Sequence, residues 1–387
     1  MTTLHIPLLP ETHNYAGDLI KALCFAASEI LQIQFQNGLL QIETAERVDS
    51  EELTRKIEKI LKQFERNRSG LLDEIVAEKS SPASMVFYNP NGFDSIQQYG
   101  NGLISLKGEA LQLLNGFDAV FRRFALKLGA VEMRYPTLLP LEAIKKTAYL
   151  RTSPQYSSFV CHPQEDIDVL LNLYKSADRN QTLNDLEAPR YVLSPAACFH
   201  CYMDLEGSRL SAPTVITTRQ NVFRNEGRLN WDDFGRLRDY EVRELVFVGN
   251  SEFVERCRSA VIEQVVAFLS EVGLSFRLCA AHDPFVVPAM QKFKKIQHEE
   301  RSKYELQLEC KPNQYLAVAS FNIHGKAFTG PFDIKVNNEE LSVTGCVGFG
   351  LERWVLAALS QWGPKPRSWP EPAKQLLEQG GLNGEFC

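Results

Sequence analysis

The sequence predicts an α+β fold: an antiparallel sheet flanked by helices, with a small α+β module in front of it. Seven short β-type segments between residues 191 and 347 are joined mostly by loops, with few helices between them. A doubly wound sheet would instead alternate strand and helix. The second observation is an amino-terminal order of helix, hairpin and helix, closed by polar breaks.

In the module, Leu19, Leu23, Ala26 and Ile30 recur at helical spacing over Asp18 to Ile30, and Leu53, Ile57, Ile60, Leu61 and Phe64 repeat the pattern after Ser50, an N-cap residue type. Between them Ile33 to Ile42 alternates around Asn37-Gly38, the strongest short hairpin signal. Polar breaks at residues 67–70 and 79–84 flank a short helical piece, and the second of them divides the chain into a module, 1–84, and a larger domain, 85–387. In that domain Leu111, Leu114, Phe117, Phe121, Phe124 and Leu128 trace a long helix that stops at Gly129 and gives way to an extended stretch from Ala130 to Pro136. Strands are expected at Tyr191–Leu193, Thr214–Thr217, Val242–Val248, Tyr304–Leu308, Leu316–Phe321, Phe332–Val336 and Leu341–Val347. Helices are expected at Glu252–Val272 and from Leu351 to about Leu359.

A chain of 387 residues, 44% of them hydrophobic, can bury a substantial core. No apolar run approaches the roughly 18 residues a bilayer span requires. The first residues lack the basic and apolar regions of a signal peptide, so a cytoplasmic protein without membrane contact is expected. Nine cysteines, at 24, 161, 198, 201, 257, 279, 310, 346 and 387, read as thiols, a few of them available to a metal. The net charge of −6 offers no general attraction to nucleic acid. Residues 1–80 hold nine Lys/Arg against thirteen Asp/Glu, a net −4 that suits a phosphate backbone poorly.

Two segments carry the chemistry. In Cys346-Val-Gly348-Phe-Gly350-Leu-Glu352-Arg353-Trp354 a pair of small residues leads into a helix whose first turn holds an arginine, an arrangement able to hold a polyphosphate. Upstream, Phe223-Arg224-Asn-Glu226, a turn-like stretch from Gly227 to Gly235, and Arg236-Leu-Arg238-Asp-Tyr240-Glu241-Val-Arg-Glu244 form a hairpin. Alternation puts Arg224 and Glu226 on one face of its first strand. Arg236, Arg238, Tyr240, Val242 and Glu244 share a face of the second, provided that strand reaches so far back. Cations for phosphates, a carboxylate for an amino group and a flat ring for a base then meet on one surface. A charged hairpin whose Arg and Glu pair across the sheet is the alternative.

These segments resemble motifs 2 and 3 of the class II aminoacyl-tRNA synthetases, and the helix ending at Gly129 with the strand to Pro136 resembles motif 1, all in the family's order over roughly residues 105–360. The resemblance implies the family's antiparallel sheet and a homodimer formed through the motif 1 region. It implies that Arg224 contacts the α-phosphate of ATP, Glu226 receives the adenine amino group and Tyr240 stacks on adenine. Arg353 would hold the γ-phosphate and cover the ring, with Arg236 and Glu352 completing the ATP set. Magnesium would accompany ATP. The family's acidic ligand before motif 3 has no counterpart between Cys310 and His324, which leaves Glu305 and Glu309 as the nearest candidates.

Cys198, Glu244 and Cys346 together are a plausible zinc site with one open position. The trio resembles the zinc-dependent seryl-tRNA synthetases of methanogenic archaea and, more closely, the bacterial amino acid:[carrier protein] ligases, as do Ala196-Ala-Cys198 and Ser320-Phe-Asn-Ile-His324. In those families the open position takes the substrate amino group. His200 and Glu241 stay open as substitute ligands, and Cys198-x-x-Cys201 could be half of a structural zinc knuckle, although no second close pair exists. The function expected first is therefore ATP-dependent activation of a small amino acid (glycine, alanine or serine) and its transfer to the phosphopantetheine thiol of an acyl carrier protein. A zinc-dependent seryl-tRNA synthetase is second, the acidic module making tRNA the less expected acceptor. A non-catalytic zinc- or nucleotide-binding paralogue is third.

Overall fold

The computed structural model describes residues 2–45, 48–67, 74–176, 185–227, 229, 235–283, 285–290, 292–337 and 342–381. Cys387, most of the polar break at 67–70 and much of the turn between Gly227 and Gly235 lie outside them.

The module consists of strand β1 (Thr2–Pro7), helix α1 (Ala16–Leu23), strands β2 (Ile30–Gln36) and β3 (Leu39–Thr44), and helix α2 (Ser50–Asn67). Asn37 and Gly38 both take positive φ, 52° and 78°, the backbone of a two-residue turn that matches strand twist. The hairpin expectation holds, and β1 adds a third strand paired with β3. The first helix stops at Leu23, short of the expected Ile30, because Ile30 already belongs to β2. Leu19, Leu23, Ile30, Leu40, Ile42, Leu53 and Ile57 form a core of their own.

The larger unit contains β4 (Ile75–Lys79), α3 (Gly108–Lys127), β5 (Val131–Glu132), α4 (Cys198–Asp204), β6 (Thr214–Phe223), β7 (Asp239–Gly249), α5 (Ser251–Val272), β8 (Phe276–Ala280), α6 (Lys292–Glu299), β9 (Lys303–Lys311), β10 (Gln314–Gly325), β11 (Val343–Gly350) and α7 (Leu351–Trp362). Eight strands form one sheet in the order β4-β8-β9-β10-β11-β7-β6-β5, antiparallel throughout except where β5 joins β6. The expected antiparallel sheet with flanking helices is therefore present. β4 replaces the short helical piece expected before residue 79: Ile75 and Val76 favour extended backbone, and β8 supplies the partner strand. The extended stretch after Gly129 pairs only at Val131–Glu132. Of the expected strand Phe332–Val336 only Lys335–Val336 pairs, alongside Arg209–Leu210.

Helices α3, α5 and α7 pack on one face of the sheet around Phe117, Phe121, Phe268, Phe349 and Trp354. Phe121 stacks on Phe349 with centroids 4.1 Å apart and meets Trp354 at 4.8 Å, aromatic contacts worth roughly 0.5–1.5 kcal/mol each beyond their area. The opposite face is covered by smaller elements, α4 among them, and a second cluster that includes Cys198, Val246 and Cys346. Cys198, Tyr240, Glu244 and Cys346 lie on that second face.

Candidate active site and metal centre

β7 and β11 are antiparallel neighbours, with Glu244 opposite Gly348, Val246 opposite Cys346 and Val242 opposite Gly350. Alternation along β7 divides its charges between the two faces. Toward the helices, Arg243 donates to both Asp118 oxygens at 2.7 and 2.9 Å and to Glu132 at 3.0 Å, tying β7 to α3 and β5. Glu241 is held by Arg219 at 2.9 Å on the same side. That engagement removes Glu241 as a substitute for Glu244.

On the other face α4 delivers Cys198 to Glu244 and Cys346. The three ligand atoms lie within 4.8 Å of one another, and all three residues are buried. Two thiols and a carboxylate suit zinc. A tetrahedral shell with Zn–S of about 2.3 Å separates its sulfurs by roughly 3.8 Å, so these atoms need to close by only about 1 Å, and three protein ligands leave a fourth position open. Burial lifts the Glu244 carboxyl to about 7, against the pull of its hydrogen bond with Cys346 and the charge of Arg224. The hydrogen bond with Cys198, and then burial, hold the Cys346 thiol well above its ordinary value. A bound cation would displace the protons these groups retain.

The other candidate ligands are occupied. His200 has Nε2 at 3.1 Å from the Leu138 carbonyl and Nδ1 at 3.0 Å from Gln220 Nε2. The carbonyl requires a donor and the amide an acceptor, which fixes a neutral ring protonated on Nε2. Cys201 is fully buried one helical turn beyond Cys198 and is not among the three converging ligand atoms. The Cys-x-x-Cys pair therefore does not act as a unit. Around Cys346, Asn322 donates from Nδ2 at 3.6 Å, and His324 places Nε2 at 3.7 Å while its Nδ1 meets the Tyr202 and Thr344 hydroxyls at 3.3 and 3.4 Å. Such partners orient a ligating sulfur. In the sequence these two residues stood out only as part of the segment Ser320 to His324. The pairing of Asn322 with Cys346 between β10 and β11 is what brings them to the Cys346 thiol.

Nearby, the Tyr240 ring is only 4% exposed and lies under two guanidinium groups, Arg353 at 5.1 Å and Arg224 at 5.9 Å from its centroid. Two successive van der Waals contacts span about 7 Å, so a base slotted between Tyr240 and Arg353 would push the guanidinium out by about 2 Å. Arg353 is lightly held: Nη1 meets the Ala317 carbonyl at 3.5 Å, and the buried Nε has no hydrogen-bond partner among the described residues. Arg224 donates from Nε to the Pro195 carbonyl at 3.0 Å, and the buried Glu226 accepts from Arg236 at 3.1 Å. The structure thus brings Arg224, Glu226, Arg236, Tyr240 and Arg353 together.

Two expected participants stand apart. Arg238 precedes the start of β7 and turns to the Asn101 carbonyl and Asn225 at 3.1 and 3.2 Å. Glu352 accepts from the Glu241 amide at 2.9 Å, and burial lifts its carboxyl to about 8, so it braces the first turn of α7 instead of joining the ATP set. Of the two magnesium candidates, Glu305 pairs with Lys303 at 3.2 Å and Glu309 accepts from the Asn313 amide at 3.0 Å.

The glycines have a different use from the one their sequence implied. A Cβ on Gly348 would stand 2.7 Å from Glu244 Oε2, and one on Gly350 would stand 3.5 Å from both Arg353 Cδ and Tyr240 Cε2. The first clears room for the Glu244 carboxylate and the second lies against the Tyr240 ring and the Arg353 stem.

No protein-family model matches the chain. The type-2 serine–tRNA ligase of Methanopyrus kandleri is 27% identical over 288 residues, covering 68% of this chain and 54% of that protein. The amino acid–[acyl-carrier-protein] ligase 1 of Bradyrhizobium diazoefficiens is 28% identical over 311 residues, covering 74% of this chain and 93% of that protein. M. kandleri SerRS, solved in complex with A. aeolicus tRNASec, superposes with a TM-score of 0.69 at 23% identity, over 97% of this chain and 77% of that one. The chain has the fold of a class II synthetase core. It spans about half the length of the type-2 serine–tRNA ligases it matches. The segments whose sequences resemble motifs 1, 2 and 3 fall on α3 with β5, on β6 with β7, and on β11 with α7.

Proposed function

We propose that the protein activates a small amino acid with ATP and transfers it to the phosphopantetheine thiol of an acyl carrier protein. The observation that carries the reading is the buried trio Cys198, Glu244 and Cys346 on the same sheet face as Arg224, Tyr240 and Arg353. Zinc in the trio would take the deprotonated amino group of an α-amino acid in its open position. The substrate carboxylate would then attack the α-phosphorus of ATP, forming the aminoacyl adenylate as the bond to pyrophosphate breaks. Arg224 would neutralise the α-phosphate and Arg353 the γ-phosphate, with Glu226 and Tyr240 holding adenine. Positioning and charge carry such a step without a general base. The carrier thiol would attack the activated carbonyl, giving a thioester and AMP.

Alignment over 93% of the carrier-protein ligase supports the acceptor assignment, as does the net −4 of residues 1–80. The second reading, seryl transfer to tRNA, is favoured by the superposition of 97% of the chain on M. kandleri SerRS. Val131 on the edge strand β5, 56% exposed, and Leu126 on α3, 41% exposed, supply an apolar margin for a homodimer through the motif 1 region. None of the eight described cysteines is joined in a disulfide, which supports the cytoplasmic reading, and no described helix is long and apolar enough to cross a membrane. Offering the adenylate-loaded enzyme a phosphopantetheinylated carrier protein and total tRNA in parallel decides the acceptor. Transfer to the carrier is expected, and transfer to tRNA alone overturns the assignment.

A further inference from the structure

The amino-terminal module has no part in the chemistry described so far, yet it touches the nucleotide pocket. Phe25, in the turn after α1, lies against Gly227, the residue following Glu226. A Cβ placed on Gly227 would stand 2.6 Å from Phe25 Cζ and 2.8 Å from Cε1. Gly227 has φ +84°, a conformation that glycine adopts freely and other residues rarely do. Leu229 packs into the apolar core of the module, so the chain leaving Glu226 is gripped at two points.

A separate contact fixes the module on the larger unit. Helix α2 packs against α6 and the turn Pro288–Met290, and Lys294 of α6, only 4% exposed, lies 5.8 Å from the Phe64 ring centroid. Asp18 of α1 adds an opposite charge within reach of Lys294. The module is therefore a seated platform at this place.

We propose that the module shapes the ATP pocket of its own chain, with Phe25 as a positioning residue that holds the Gly227 turn and through it the Glu226 carboxylate. Glycine is the residue with the most backbone freedom to lose, so a turn built on it keeps one conformation only when something presses it into place. The ring of Phe25 supplies that pressure, and the seated core supplies its rigidity. The proposal rests on the assignment of Glu226 to adenine, and its test separates the two.

The test uses the full-length, zinc-loaded protein and its Phe25→Ala and Phe25→Leu variants. ATP–pyrophosphate exchange gives KM for ATP, KM for the amino acid and kcat, while hydrogen exchange follows the amides of residues 225–229. Phe25→Ala is expected to speed amide exchange there and to raise KM for ATP about fivefold, the scale of one lost aromatic contact, leaving kcat and the amino-acid KM within about twofold. Phe25→Leu, which keeps an apolar side chain against Gly227, recovers most of the change. Unchanged KM for ATP in Phe25→Ala, or an equal loss in all three kinetic constants, overturns the proposal while leaving the ATP assignment standing. No exchange by the wild-type protein with any amino acid overturns the ATP assignment, and amide exchange alone then decides the anchoring, with unchanged rates refuting it.

Discussion

Replacing Gly348 by alanine separates the metal centre from the stability of the fold. The new Cβ would stand 2.7 Å from Glu244 Oε2, 3.4 Å from Glu244 Cδ and 3.5 Å from Val242 Cγ1, so the carboxylate oxygen is the atom that must yield. Restoring an ordinary contact of about 3.4 Å moves it by roughly 0.7 Å, several times the ±0.2 Å that a metal–ligand bond tolerates. Gly348 does not occupy the left-handed region, so alanine costs β11 no backbone strain there. The expected loss in zinc affinity is about 10- to 100-fold, the scale seen when a ligand's support is disturbed, or roughly 1.4–2.7 kcal/mol. Competition of the purified variant against a chromogenic chelator measures it, with thermal unfolding of the metal-free protein as the control. Gly350→Ala, whose Cβ meets nothing closer than 3.5 Å, should keep zinc. Wild-type zinc affinity in Gly348→Ala would refute the reasoning, as would equal losses in both variants.

Cys346→Ala should lose bound zinc and amino-acid activation together, whereas Cys201→Ala should keep its metal because Cys201 lies outside the converging trio; metal analysis of the two proteins checks the distinction. Arg353→Ala should lower pyrophosphate exchange about 10²- to 10³-fold with zinc content unchanged, since it removes charge stabilisation and leaves the trio intact. Glu352 has a folded pKa of about 8, above its unfolded value, so its stabilising contribution is complete below about pH 4.5 and is lost as pH rises through 8. Thermal melts of the wild type should therefore fall across that window by the equivalent of roughly 5 kcal/mol, and Glu352→Gln should flatten the fall; parallel curves would contradict the assignment.

The central strands were legible because β6, β7, β9, β10 and β11 carry apolar runs or alternation long enough to exceed local noise. The trio Cys198, Glu244 and Cys346 was legible because its members border the two segments that resemble motifs 2 and 3. β4 was not, since Ile75 to Lys79 is extended only by courtesy of β8, a partner about 200 residues away in the chain. The short helix α4 escaped notice for a related reason: its seven residues, Cys-Phe-His-Cys-Tyr-Met-Asp, have little helical propensity of their own and are held by burial. Glu352 entered the ATP set through the resemblance of its segment to motif 3, but neighbours on a helix point some 100° apart, and the Glu241 amide claims its carboxylate. The same limit applied to the glycines. Nothing in Gly348-Phe-Gly350 says that the space they leave is filled from β7, by Glu244 and Tyr240.

The central claim is that a buried Cys–Glu–Cys zinc site and an arginine-framed ATP pocket act on one amino acid. Pyrophosphate exchange measured across all amino acids, with zinc content determined on the same sample, tests it most directly. Exchange with one of glycine, alanine or serine, falling in proportion to zinc as the metal is stripped, is the result the account predicts. A fully zinc-loaded protein that exchanges with no amino acid, or one that exchanges equally well after its zinc is removed, would contradict it.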